Sequence, residues 1–250
     1  MHAKLIKILI FTFCLCLVGC TSSLPGNKDT EVTVIEVQIS TALTHWIPKL
    51  TACSENLVHA GVTVEILPKN ELNVQNADLV VRFGPRTPQE QHVSVLSMDR
   101  VIFIININHP LTSISSQSLV KIFLGHYQTW NQVPEMASID PTYDLPIRFF
   151  SYGDGSDLTP ILSSALMDEE NVSQDALYAA SWEILQDSVA KTPGGIGYLL
   201  ESQVSADVLT LLVEDQGDLQ AGLEQPVIAV TRSEPEGVLR QFLLCLQTSN

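Results

Sequence analysis

The chain predicts an α/β fold in two compact lobes, on three observations. Apolar β-branched runs alternate along it with stretches of helical period, the order that builds parallel strand-helix-strand units. About 230 residues remain once an N-terminal processing segment is set aside, more than one small domain needs. A hydrophobic content of 45% supplies a core for both lobes.

The processing segment comes first. Lys4 and Lys7 form a positive start, Ile8 to Val18 is an apolar run too short for a finished transmembrane helix, and Leu17-Val18-Gly19-Cys20 closes it. That ending resembles a bacterial lipobox. The resemblance implies cleavage before Cys20 and lipidation of its thiol, with two or three acyl chains that anchor stably where one would not. Residues 1–19 are thus expected to be a lipoprotein signal peptide, and 20–29, which include the polar, turn-forming TSSLPGNKD, a flexible tether. No later apolar run approaches the roughly 20 residues of a spanning helix.

Glu31 to Ser40 alternates apolar Val32, Val34, Val37 and Ile39 with polar neighbours, the period of a half-buried strand. Ser40 and Thr41 can cap a helix reaching about His59, and Pro48 makes that helix kink or start late. Val62 to Leu67 and Ala77 to Phe83 are the next strands, giving a parallel unit. Gly84 to Pro88 breaks the chain, and Val93 to Ser97 and Val101 to Ile107 read as two further strands. Pro110 ends the second, Ser115 or Ser116 can cap a helix carrying Leu119, Val120, Ile122, Phe123 and Leu124, and Gly125 stops it. Asp144 to Ser151 predicts a strand. The Tyr152–Asp157 loop follows, then a helix over about Leu158 to Met167 and another over about Ala176 to Ala190. Ile196 to Leu200, Val208 to Val213 and Pro226 to Thr231 are strands, and Glu236 to Gln247 is the last helix, with Leu239, Phe242, Leu243 and Leu246 facing in.

Charge and cysteine content narrow the function. Without residues 1–19, 11 of the 13 basic residues face 28 acidic ones, a formal charge of −17, which repels nucleic acid and anionic headgroups. Cys53 and Cys245 are the thiols left in the folded body. They fit either a disulfide or two buried thiols, because sequence does not give the short Cα separation a bond requires. The six His are scattered singly, without metal-ligand spacing, and no cofactor motif stands out. Asp154-x-Ser156 lacks the later acceptors of a calcium loop, and Gly153 to Asp157 is not a Gly-x-Ser-x-Gly elbow, so a binding protein is expected rather than an enzyme.

The segment from Asn106 to Asn131 carries a family resemblance. Asn106, Pro110, Leu111, Thr112, Leu119, Ile122, Phe123, Gly125, Trp130 and Asn131 stand where phosphate-binding proteins, extracytoplasmic receptors of ABC importers, carry a similar crossover segment, with the Trp-Asn order reversed. Gly195-Ile196-Gly197-Tyr198 resembles that family's Ile-Gly-Tyr strand. The resemblance implies a two-lobed type II periplasmic-binding-protein fold with a two-segment hinge. Lobe one is then 30–107 plus 216–250, lobe two is 108–215, and the two crossovers form the hinge.

It also implies a ligand site. Strand-to-helix loops gather backbone N–H groups and the positive end of a helix dipole. Ser40 and Thr41 in lobe one and Gly155, Ser156 and Asp157 in lobe two would face each other at strand carboxyl ends. The family's second loop resembles Arg-x-x-x-Ser-Gly-Thr; here Ser156 keeps the Ser, while Tyr152, Asp157 and Leu158 stand at the Arg, Gly and Thr positions. Arg82 and Arg86 end the third strand, and Phe83 falls where the family has an acidic contact. Asp154 and Asp157 add negative charge, which disfavours a fully ionised oxyanion and suits a protonated phosphate or a cationic group. The candidate ligand-binding set is Ser40, Thr41, Arg82, Tyr152, Asp154, Gly155, Ser156 and Asp157, with Cys20 for the lipid.

The function expected is a solute-binding lipoprotein of the bacterial cell envelope, anchored on the extracytoplasmic face. It would act as a monomer, capture a small-molecule or anion ligand, and deliver it to an ABC permease for transport. The alternative is a degenerate binding-protein-like lipoprotein serving as a sensory or interaction module.

Overall fold

A computed structural model describes residues 32–214 and 217–248. The expected signal peptide, Cys20 and the tether at 20–29 lie outside these residues. Strand β1 (Thr33–Ser40) runs parallel to β2 (Ala60–Leu67) along its whole length, and parallel to β3 (Leu79–Phe83) on its other side. The parallel unit expected from the alternating pattern is therefore present. Between β1 and β2 the chain makes a 3-10 segment, Thr41–Trp46, before helix α1 (Ile47–Glu55). Pro48 sits in the first turn of α1, where its missing N–H costs nothing, which accounts for the late start. The helix ends before His59, whose φ of 57° is left-handed.

Strand β4 (His92–Asn106) is the structural axis. Its first part pairs antiparallel with β10 (Glu224–Thr231), from His92 opposite Thr231 to Arg100 opposite Glu224. From Val101 onward it pairs instead with β8 (Gly195–Leu200) and β9 (Val208–Glu214). Two short strands were expected here. One continuous strand forms because Gln225 and Pro226 extend the ladder over Asp99 and Met98, and a register shift at Val227 absorbs the mismatch. The pairing partner thus changes at Arg100/Val101, inside an unbroken strand.

Beyond β4 come β5 (Ser113–Ser115), which pairs with β9, and helix α2 (Ser116–Phe123). Ser115 caps α2 by accepting from the Ser118 amide, and Gly125 follows the helix at φ 75°, where a side chain would be strained. A short helix α3 (Pro134–Ile139) leads to β6 (Arg148–Tyr152) and helix α4 (Leu158–Leu166). The helix expected over Ala176–Ala190 is shorter. Leu177–Ala179 forms strand β7, parallel to β6, and α5 (Trp182–Lys191) begins only after Ser181, which accepts from Ile184 N. Helix α6 (Gly217–Leu223) precedes β10, and α7 (Gly237–Thr248) ends the described chain.

The strands form one path, β2-β1-β3-β10-β4-β8-β6-β7, with β9 on β4 and β5 on β9. A single large apolar cluster runs through both halves, from Ile39 and Leu43 to Phe103, Trp130 and Tyr198. Cys53 on α1 and Cys245 on α7 are joined as a disulfide with Cα atoms 5.7 Å apart, so of the two states open to them the bonded one forms. No helix among the described residues is long and apolar enough to cross a membrane.

Candidate functional site

The carboxyl ends of β1 and β3 meet the carboxyl end of β6 and the start of α4. Ser40 closes β1 and is 1% exposed. It does not cap the segment that follows, and its hydroxyl has no hydrogen-bond partner. Opposite it, the turn after β6 carries Asp154 and Gly155 on the surface side and Ser156 and Asp157 inward. Gly155 has φ 94°, and a Cβ there would strike Asn70 Oδ1 at 2.6 Å, so only glycine lets the turn lie this close to the other half. Its carbonyl accepts from Lys69 N at 2.7 Å.

Asp157 is the most confined ionisable group of the set, 1% exposed. Its Oδ2 accepts from Phe83 N at a long 3.5 Å, and Oδ1 has no partner. Burial pushes its carboxyl above the usual range. Ser40, Lys69, the Phe83 amide and Arg82 act the other way without winning. Ser40 is near enough to favour the carboxylate but does not meet it in hydrogen-bond geometry. The neighbouring Ser156 hydroxyl is turned inward and accepts from Leu158 N at 3.1 Å.

Arg82 is buried and already engaged. Its Nε donates to Glu90 Oε1 at 2.8 Å, Nη2 donates to Glu90 Oε2, and Nη2 also reaches the Pro85 carbonyl at 2.9 Å. Glu90 belongs to the loop after β3, which folds back over the arginine. Burial of Glu90 works against its charge, but the Arg82 and Thr87 hydrogen bonds outweigh it and hold its carboxyl below the usual range. A bidentate pair of this kind leaves little of the guanidinium for an outside anion.

Tyr152 stands edge-on to Tyr198, its hydroxyl buried without a partner and its pKa driven well above 10, first by burial. Tyr198 is better satisfied, with the Ser151 and Thr159 hydroxyls each 2.9 Å from its own.

Five of the expected residues, Thr41, Tyr152, Asp154, Gly155 and Ser156, line a single open cavity of about 380 Å³. Pro68 bounds it on one side, and Tyr178 to Ala180 on the other. Ser40, Arg82 and Asp157 do not line it. Periodicity missed Tyr178, because it lies in the three-residue strand first read as helix. Lys69 and Phe83 contribute backbone amides, which leave no side-chain signature in a sequence. Among the described residues, no group of three or more His, Cys, Asp or Glu is placed to hold a metal.

Comparisons with known proteins agree on the fold. A family model described as a PBP superfamily domain matches residues 88–235. An ABC-type phosphate transport receptor from Vibrio cholerae is 17% identical, covering 86% of this chain and 93% of its own, with a TM-score of 0.67. A putative phosphate ABC transporter substrate-binding protein from Clostridium perfringens, solved with bound phosphate, is 14% identical over the same shares with a TM-score of 0.70. The CcmR regulatory domain of Synechocystis PCC6803, in complex with 2-PG, is 14% identical, covers 87% of this chain and 97% of its own, and has a TM-score of 0.61. No curated protein matches the sequence.

Proposed function

The chain belongs to the PBP superfamily and has the two-lobed type II periplasmic-binding-protein fold, and from that premise we propose that it is an extracytoplasmic solute-binding lipoprotein serving an ABC importer. The observation that carries this reading is the cavity of about 380 Å³ at the strand carboxyl ends, the usual ligand position in open α/β sheets. Thr41 and Pro68 line it from one half and the Tyr152–Ser156 turn from the other, so a ligand there would tie the two together. Thr41 supplies a hydroxyl, Asp154 a carboxylate on the rim, and Tyr178 an exposed ring, a set suited to a polar solute. Lobe one, expected as 30–107 plus 216–250, and lobe two, expected as 108–215, divide earlier in this proposal: the end of β4 from Val101 goes with lobe two, and the flexing points are Arg100/Val101, where β4 changes partners, and the return into β10. Cys20 carries the lipid anchor, and capture proceeds without turnover.

A second reading, a sensory or interaction module without transport, is favoured by one observation. The turn at Gly155–Asp157 is held directly by the Lys69 and Phe83 amides, so its position does not depend on a bridging ligand.

Thermal unfolding of the purified protein against a panel of cationic, neutral and anionic solutes tests the choice. At a hundredfold excess over Kd a bound solute adds about 2.7 kcal/mol, a rise of about 5–10 °C in Tm for a chain of this size. Thr41→Ala should reduce that rise. No shift with any solute would favour the sensory reading. Labelling of cells with a radioactive fatty acid, lost in Cys20→Ala, tests the anchor.

A further inference from the structure

We propose that Asp157 is a specificity-determining residue: behind the solute cavity, its own carboxylate occupies the buried point between β1, β3 and α4 where polar donors converge, and so excludes small external oxyanions from it. The inference builds on the proposed receptor and concerns what that receptor refuses.

Four observations converge. The Asp157 carboxylate lies where β1, β3 and α4 meet, and it reaches across the cleft to the Phe83 amide without capping its own helix. A carboxylate removed from water ordinarily collects several donors or a cation. Asp157 has one long contact, and its Oδ1 is bare. The Ser40 hydroxyl beside it is equally buried and equally unpartnered. Arg82, the nearby guanidinium, is clamped by Glu90.

The donors gathered there are the Phe83 backbone N–H and the Ser40 hydroxyl, which suit any compact oxyanion as well as they suit this carboxylate. A structural role alone, as a latch between the halves, accounts less well for a buried carboxylate whose neighbouring Ser40 hydroxyl stops short of hydrogen-bond geometry. The latch is made separately: Lys69 N holds the Gly155 carbonyl, and Gly155 packs on Pro68 and Asn70. The turn therefore keeps its place without the Asp157 carboxylate, and the donors around it stay aimed inward.

Isothermal titration of the full chain with inorganic phosphate and with sulfate tests this, comparing the natural protein with Asp157→Gly. The natural protein should give no saturable heat at millimolar anion. The Gly variant should bind at least one of the two, and adding Ser40→Ala to it should weaken that binding about tenfold, the worth of one hydrogen bond to a charged group. Circular dichroism checks folding, and Asp157→Ser, which keeps a small polar residue before the helix, serves should the Gly variant not fold. Oxyanion binding by the natural protein as tight as by the variant would overturn the proposal. So would a folded variant that binds neither anion. A cavity solute that still shifts Tm while the Gly variant ignores phosphate and sulfate would sink this inference and leave the receptor standing. Anion binding gained by the variant, with no solute found for the natural protein, would do the reverse.

Discussion

Removing the Cys53–Cys245 bond should lower thermal stability by several degrees while leaving the cleft intact. The two cysteines are 192 positions apart, so the bond restricts nearly the whole unfolded chain. Loop-closure entropy for a ring of that length comes to about 5 kcal/mol at 25 °C, and native disulfides realise about 2–5 kcal/mol of stability. The bond joins α1 to α7, and Cys53 is 1% exposed, so Cys53→Ala also thins a packed contact. At about 2–4 °C per kcal/mol for a chain of this size, the Cys53→Ala/Cys245→Ala protein should melt about 4–20 °C below the parent. Thermal circular dichroism reads this directly, with a thiol titration confirming that the parent holds no reactive Cys53 or Cys245. A difference under about 3 °C would refute the reasoning and show that α1 and α7 hold together by packing alone.

Arg82→Met should cost about 2–4 kcal/mol in urea unfolding, because it strands Glu90 without its partner, and adding Glu90→Gln should recover part of that loss. A single-variant cost under about 1 kcal/mol would mean the pair is solvated after all. His109 gives a pH signature. It is buried between Trp130 and Tyr143, accepts from Leu111 N, and burial lowers its pKa to about 4 from an ordinary 6.5. The unfolded chain therefore binds a proton that the folded one refuses, so stability falls as pH drops from about 6.5 toward 4, by up to about 2 kcal/mol at pH 5. His109→Gln should flatten that part of the urea-stability profile, and an unchanged slope would remove His109 as its cause.

Local signals in the sequence were legible where a residue's preference and its partner lie close along the chain. The β-branched run of β1, the Ser115 cap and Gly125 each state their structure within a few positions, although the alternation expected in β1 fails: Val32 and Val34 are exposed, Ile35 is buried, and the end of the strand is covered on both faces. Pro48 marks the late start of α1 equally well. The failures come from partners far away. Leu177–Ala179 falls within a stretch of helical period, yet pairing with β6 draws it into a strand. The break expected between Ser97 and Val101 disappears because β10, more than a hundred residues later, supplies the missing ladder. At the site, the turn from Tyr152 to Asp157 was visible as a strand-to-helix loop. That Asp157 would be buried against Phe83 and Arg82 claimed by Glu90 was not, since both depend on how a glycine-tight turn and the loop after β3 close over their neighbours.

The bond between α1 and α7 also changes what a broken chain would be. Every residue from 54 to 244 lies inside a covalent ring, including the whole excursion from Val101 through β9. A protease that opened the surface turn at Asp140–Thr142 would release nothing. The nicked molecule would migrate as one piece until a reductant was added, and only then separate into two. Loops in that excursion can therefore be cut, or rejoined in a new order, while their fragments stay at the effective concentration of a single molecule.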